Sequence, residues 1–511
     1  MRGNQLKLGA ILSYLQTVVH VLVGLIYTPV MIRLLGRSEF GLYNTVSSTI
    51  SMLSILSLGF NSGYIRYYAR YKKEENQEAI NRLNGLFLLI FCIIGMVGFC
   101  CGLFLMQHLE MVFQDGLSTE EYSIARTLML ILTINLAISF PMSVFQNIIS
   151  AHERFVILKL LGIVKTVLGP MLTLPLLLMG YRSVAMVSVT VLVALLVDLC
   201  YLIFVKRKLG ERFWFNHFEK GLLFSLFSFT AFVALNTIID QINWNVDKIL
   251  LGRFKGTDSV AVYSVGYTLY NYYMIISLAV SGVFTPRIHK IYNEFKNEPA
   301  KLNAGFTKLF IRVGRIQYLI LGLEASGIVL FGRGFIYFWA GAGYEDAYPV
   351  ALLLVLPASI ALIQNIGIEI QRAENKHKFR AIVYTVMALL NLVLSWFLCQ
   401  KYGPVGSAFG TAVSLIVANG FIMNIYYHRQ CGIDIPLFWK NIIRVSASYL
   451  VPIGIGWVMT YFLPAGSILV MAIEIVAYTL IYFLSVWLFG MNDEEKALVR
   501  TPLRRVLHLK K

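Results

Sequence analysis

The sequence predicts an all-α integral membrane protein of about fourteen transmembrane helices. Two six-helix repeats form two lobes around a central cavity, and two C-terminal helices follow. Three observations carry this. The chain is 58% hydrophobic and 14% charged, with a mean hydropathy of +0.69, whereas soluble domains carry about 25% charged residues. Apolar runs of membrane-spanning length recur from end to end. A short string, Leu34-Leu35-Gly36-Arg37, returns as Leu250-Leu251-Gly252-Arg253, the mark of an internal duplication.

The first run, 8–32, is too long for a signal peptide and lacks a small-x-small cleavage site, so it reads as a retained helix. Runs at 40–61, 83–106, 124–149, 155–179 and 183–205 complete a first half. Those at 221–243, 259–284, 309–332, 348–370, 379–400 and 404–427 form a second, and 443–463 and 467–489 are additions. Each supplies the ~20 apolar residues that cross a bilayer at 1.5 Å per residue. ISAHERFVILKL before helix five resembles IQRAENKHKFRAI before helix eleven, at a similar offset. Six helices per half is an even number, so both halves share one orientation about an axis along the membrane normal. The expected division is an N-terminal lobe at 1–208, a cytoplasmic linker at 209–220, a C-terminal lobe at 221–430, and helices thirteen and fourteen with a basic cytoplasmic tail at 431–511.

The net charge of +17 invites a nucleic-acid reading, but its placement excludes one. With a cytoplasmic amino terminus and alternating helices, about 34 of the 44 Lys and Arg residues fall inside and about nine outside. That asymmetry sets orientation, with both termini cytoplasmic, and leaves room for contact with anionic membrane lipids. In the linker KRKLGERFWFNHFEK, basic residues alternate with Phe213, Trp214, Phe215 and Phe218, the pattern of an interfacial helix. The six cysteines show no metal-ligand spacing and read as reduced thiols.

Polar residues inside the runs are the functional candidates, because a polar group at membrane depth must face protein or water. Aligned on the repeated motif, His20 superposes on Asn236, Gly24 on Asp240 and Tyr27 on Asn243. Ser13, Gln16, His20, Gly24 and Tyr27 share one helical face, as do Asn236, Asp240, Asn243 and Asp247. Helix two adds Asn44, Ser47, Ser51, Ser54 and Asn61, and helix eight adds Tyr263, Tyr267 and Tyr270. Two readings stand side by side: the stripes line a water-filled cavity, or they bind neighbouring helices together by hydrogen bonds worth about 0.6 kcal/mol each. Asp247, beside the outer interface, is expected to be solvated. Lys165, Asp198 and Glu324 interrupt apolar helices and are site candidates, with pairing of Lys165 to either acid as the structural alternative. Asp240, Asp198 and Glu324 are the candidates for binding a coupling proton or sodium ion. Arg66 and Arg287, near the inner ends of helices two and eight, could hold phosphates or serve as topology anchors.

Catalytic signatures are absent from the sequence: no HExxH, GxSxG or GxxxxGK[ST], and no paired-acid DxD. The reading is a transporter without cofactor, metal or ATP-binding loop.

Four strings carry a family resemblance: YTPVMIRLLGRSEFGLYNTV, LGFNSGYIRYYARY, VDKILLGRFKGTDSVAVYSVGYTL and WAGAGYEDAYPVALLLVL. They resemble the bacterial polysaccharide-export flippases, the Wzx-like members of the multidrug/oligosaccharidyl-lipid/polysaccharide superfamily, along essentially the whole chain. The resemblance implies alternating-access export of an undecaprenyl-diphosphate-linked oligosaccharide across the cytoplasmic membrane of a bacterium, with polysaccharide polymerase machinery as a candidate partner. Family cavities are often cationic, to match a diphosphate; here only Lys165, with Arg66 and Arg287 at the rim, supplies positive charge. Carboxamides, hydroxyls and tyrosines suit sugars better than drugs. A lipid II or multidrug exporter is the alternative within the superfamily, and an integral-membrane glycosyltransferase or polymerase the rival outside it.

Overall fold

A computed structural model of the chain describes residues 2–57, 59–113, 117–216, 220–462 and 466–506. These residues are helical almost throughout, and contain no strand. Among them, nine helices are long and apolar enough to cross a membrane, or ten if one bent pair counts as a single span. The chain divides into two compact units, residues 1–264 with 392–407, and 265–391 with 408–511.

The first unit contains α1 (Arg2–Leu35), α2 (Arg37–Met52), α3 (Phe60–Lys73), α4 (Gln77–Gln107), α5 (Thr119–Ala151), α6 (Phe155–Leu178), α7 (Ser183–Phe204), α8 (Lys220–Lys255) and the start of α9 (Thr257–Gly282). Its core joins Phe60, Tyr64, Phe87, Phe91, Phe140 and Val144, and the aromatic rings meet edge to face. One end of the unit carries the turns at 73–77 and 151–155, and is called the basic end below. Helix two is not the continuous span expected at 40–61. It breaks after Met52 into a short 3₁₀ segment, Leu53–Ser57, and resumes as α3 beyond Gly59, which has φ 71°. The cause is local: a left-handed glycine cannot continue a helix, and its bare Cα faces Val233 of α8 so closely that a Cβ would lie 2.4 Å from Val233 Cγ1.

The linker also departs from expectation. Residues 205–209 form a π-turn that ends at Gly210, and 211–216 are not helical. The chain is instead drawn onto α4 by buried polar bonds. The Asn84 amide donates to Glu211 Oε2 (2.8 Å), His152 Nε2 lies 3.1 Å from Glu211 Oε1, and the Trp214 N–H donates to the Asn81 carbonyl (3.0 Å). A Tyr64 hydroxyl bond to Asn84 Oδ1 (2.6 Å) extends the network. These bonds satisfy groups that an interfacial helix would leave unpaired inside the unit. Phe218 lies outside the described residues.

The second unit contains the rest of α9, then α10 (Thr285–Phe295), α11 (Pro299–Ala340), α12 (Ala347–Ile363), α13 (Ile366–Ala373), α14 (His377–Leu415) apart from residues 392–407, which belong to the first unit, α15 (Met423–Gln430), α16 (Ile435–Ser446), α17 (Leu450–Phe462), α18 (Ile468–Ser485) and α19 (Asp493–Val506). α10 forms because Ile288 and Ile291 recur at helical spacing and bury in one core with Leu302 and Phe306 of α11. α12 and α13 bend by 41° at their junction. α14 contains Gly403 at φ 57°, where two helical limbs meet. The expected basic tail includes α19, fixed by a bidentate pair: Arg315 Nε and Nη2 donate to Glu495 at 2.7 and 2.9 Å, and Nη2 also donates to the Gly490 carbonyl. Both side chains are nearly fully buried, which makes loss of either partner costly.

Candidate functional site: polar residues of the first unit

α1 and α6 run parallel in constant register. Gly9 meets Phe155, Gln16 meets Gly162, and Thr173 donates its hydroxyl to Tyr27 (2.9 Å). This register sets Lys165 level with Val19 and His20. Both Lys165 and His20 are exposed. Gln16, in contrast, presses its amide over Gly162 and serves the helix contact. Asp198 on α7 is buried, accepts a hydrogen bond from Gln146 Nε2 (3.1 Å), and feels the charge of Lys165. Lys165 thus acts on Asp198 through its charge, without a direct ion pair, while Glu324, half-buried on α11, belongs to the second unit.

The second polar face is formed where the broken helix passes α8. Thr45 packs on Gly252, Gly59 on Val233 and Gly63 on Thr230, so the two run antiparallel. Between those fixed points, residues 51–57 pass alongside Asp240 and Asn243. Irregular backbone at membrane depth is tolerated where it is buried in protein or lines water, and this break faces the most polar part of α8. Ser51 and Asp240 are exposed and Asn243 is half-buried; Asn245 donates to Gln241 Oε1 (2.6 Å). Asn236 lies on α8, but its side chain is outside the described residues. Asp247 is not solvated as expected. It is buried, because Tyr263 folds over it and donates a 2.7 Å hydrogen bond to Oδ2.

The remaining candidates separate by their partners. Asn44 turns back on its own helix, donating to the Phe40 carbonyl (2.8 Å). Asn61 accepts from Asn147 of α5 (2.6 Å) and ties α3 to α5; the break removes it from the face shared by Asn44 and Ser51. Arg66 is exposed on α3. In the second unit, Tyr267 packs its ring 5.8 Å from that of Tyr270, and Arg287 is exposed on α10 rather than at the end of helix eight.

Sequence reasoning missed Gln146 and Asn147, adjacent carboxamides in FPMSVFQNIIS that reach two different helices. It also missed Asn84, a single carboxamide in the apolar run RLNGLF. Near the basic end, the Tyr68 hydroxyl lies 3.0 Å from His152 Nε2. At the opposite end, Ser38 bonds to Glu121 and Thr257, and Arg37 pairs with Asp258 (3.8 Å). The second motif's Arg253 donates to the Met111 carbonyl (2.6 Å). No group of three metal-ligating side chains occurs among the described residues. The chemistry on offer is a cation for an anionic group, and a carboxylate with carboxamides and hydroxyls for hydrogen-bonding groups.

A family model described as "Polysaccharide biosynthesis protein" matches residues 6–292. The chain is 22% identical over 415 residues to a protein named as an O-antigen transporter in Shigella flexneri, covering 78% of this chain and 92% of that one. In fold it is similar to the lipid II flippase MurJ in an inward-closed conformation, with a TM-score of 0.68 at 17% identity over 94% of this chain and 98% of MurJ. It is also similar to an inward-facing multidrug-resistance MATE transporter of the MOP superfamily, with a TM-score of 0.64 at 15% identity, over 83% and 99% of the two chains.

Proposed function

Because the chain belongs to the polysaccharide biosynthesis protein family, we propose that it flips undecaprenyl-diphosphate-linked oligosaccharide repeat units from the inner to the outer leaflet. It is a multi-pass transporter of the bacterial inner membrane rather than an enzyme, and a Wzx-like member of the superfamily that includes the MurJ and MATE folds. Its product serves capsule, exopolysaccharide or O-antigen synthesis. The observation that carries this reading furthest is Lys165, an exposed cation about midway along an apolar helix, level with His20 and within electrostatic range of buried Asp198. A diphosphate is the natural counter-charge for it.

We read fourteen spans by counting the limbs of α14 as two among the long apolar helices and adding the broken α2–α3 pair, α8, α9 and the bent α12–α13 pair. The repeats are 1–208 and 221–430, the linker 209–220, and both termini are cytoplasmic. Compactness divides the chain later, at residue 264, because α8 packs on α2 and α3; a division by contact need not follow a division by descent. In this reading His20, Ser51, Asn236, Asp240, Asn243 and Tyr267 serve the sugar path, Arg66 and Arg287 its rim, and Asp240, Asp198 or Glu324 a coupling ion, while Gln16, Asn44 and Asn61 hold helix contacts. The polymerase acts on the delivered units. Deleting the gene tests the reading: lipid-linked repeat units should accumulate on the cytoplasmic leaflet with loss of surface polymer. Unchanged polymer, with no other exporter for it, would contradict it.

A further inference from the structure

The second unit contains a pocket that the transport reading does not use. It has a volume of about 770 Å³ and lies among the ends of α11, α17 and α18, lined by Arg333, Tyr337, Glu345, Thr460, Met471 and Glu474. Glu474 interrupts the apolar string ILVMAIEIVAYTL. It is only 6% exposed, and its Oε1 has no hydrogen-bond partner among the described residues. A buried carboxylate oxygen in that position is costly until a donor reaches it. Arg333, on the same pocket wall, is exposed and presents a guanidinium. One pocket thus offers a hydrogen-bond acceptor of negative charge and a forked donor of positive charge.

The surroundings say what brings both complementary charges. Ile468, Leu469 and Ile473 of α18 are 59–68% exposed, as are, to a similar degree, Trp457, Tyr461 and Phe462 on α17. An apolar bed of that kind covers itself with lipid chains, and Trp and Tyr beside it mark the level of lipid headgroups. A ligand arriving from that layer with both charges is a zwitterionic phospholipid. We propose that this pocket binds the headgroup of an aminophospholipid, a phosphoethanolamine, whose ammonium donates to Glu474 while its phosphate accepts from Arg333. A primary ammonium has three N–H donors; a trimethylated choline has none, and a glycerol headgroup has no positive charge. Selectivity for ethanolamine over choline is therefore the signature of Glu474.

The test uses the full chain, purified in detergent and mixed with equimolar dioleoyl phosphatidylethanolamine, phosphatidylcholine and phosphatidylglycerol, with retained lipid read by native mass spectrometry. We expect phosphatidylethanolamine to be retained about tenfold over phosphatidylcholine, the ratio due to a charge-assisted hydrogen bond. Glu474→Gln should bring that ratio close to one, and Arg333→Gln should lower retention of both lipids. Equal retention of the two lipids by the unaltered chain would overturn the proposal. That comparison needs no variant, so misfolding cannot obscure it. A Glu474→Gln chain that keeps the preference overturns it as well.

Discussion

Lys165 stands about ten residues into α6, too deep for its four-carbon stem to carry the ammonium to the basic end. Its charge must be matched at that depth, by Asp198, by substrate, or by each in turn. Lys165→Arg keeps the charge and should retain part of the transport. Lys165→Met keeps the bulk and loses the charge, and should lower transport at least ~10-fold at equal protein level, the loss expected for one charge-assisted contact. Wild-type export by the Met variant would show that charge here is irrelevant; loss of the protein from the membrane would favour a structural pair with Asp198. Asp240 lies beside the broken helix, exposed, where it can accept from sugar hydroxyls or bind a coupling ion. Asp240→Asn keeps the shape and removes the titratable charge. Vesicle transport by that variant should continue but lose its dependence on an imposed ion gradient; unchanged gradient dependence would remove Asp240 from coupling.

At the scale of elements, the break between α2 and α3 is the feature that most shapes the first unit. Gly59 holds it open with φ 71°, and the approach of Val233 leaves no space for a side chain. Gly59→Ala should therefore lower stability by about 1–2 kcal/mol for the left-handed conformation alone, and further for the clash. Thermal unfolding of the solubilised protein measures the sum, and a second change, Val233→Ala, should recover only part of the steric loss, because it removes Cγ1 but leaves the Val233 Cβ position, 2.6 Å from the new Cβ, occupied. An unchanged melting temperature would mean that the chain does not need its tight packing on α8 at this point. The linker teaches the same lesson from the other side. Its alternating basic and aromatic residues satisfy the pattern of an interfacial helix, yet the carboxylate of Glu211 finds Asn84 and His152, and those bonds outweigh local helix preference.

For the whole molecule, membrane residence, the helical class and the family were legible in the sequence, because hydropathy over ~20 residues reports burial in lipid whatever the tertiary contacts. The position of Lys165 and Asp198 in apolar runs was legible for the same reason. Which of the two acids feels the Lys165 charge was not, since no local pattern reports which helices pack together. Nor was the burial of Asp247, which depends on Tyr263 from the following helix, or the separate duties of Gln16, which packs on α6, and Asn61, which bonds to α5. The central claim is that this chain moves a lipid-linked oligosaccharide across a bilayer. Purified protein in sealed vesicles, supplied on one leaflet with undecaprenyl-diphosphate-linked oligosaccharide, measures it through the appearance of sugar accessible to a glycosidase on the other leaflet. The unaltered chain should accelerate that appearance well above protein-free vesicles, and Lys165→Met should not; a rate equal to that of protein-free vesicles, from folded and correctly inserted protein under every imposed ion gradient, would contradict the account.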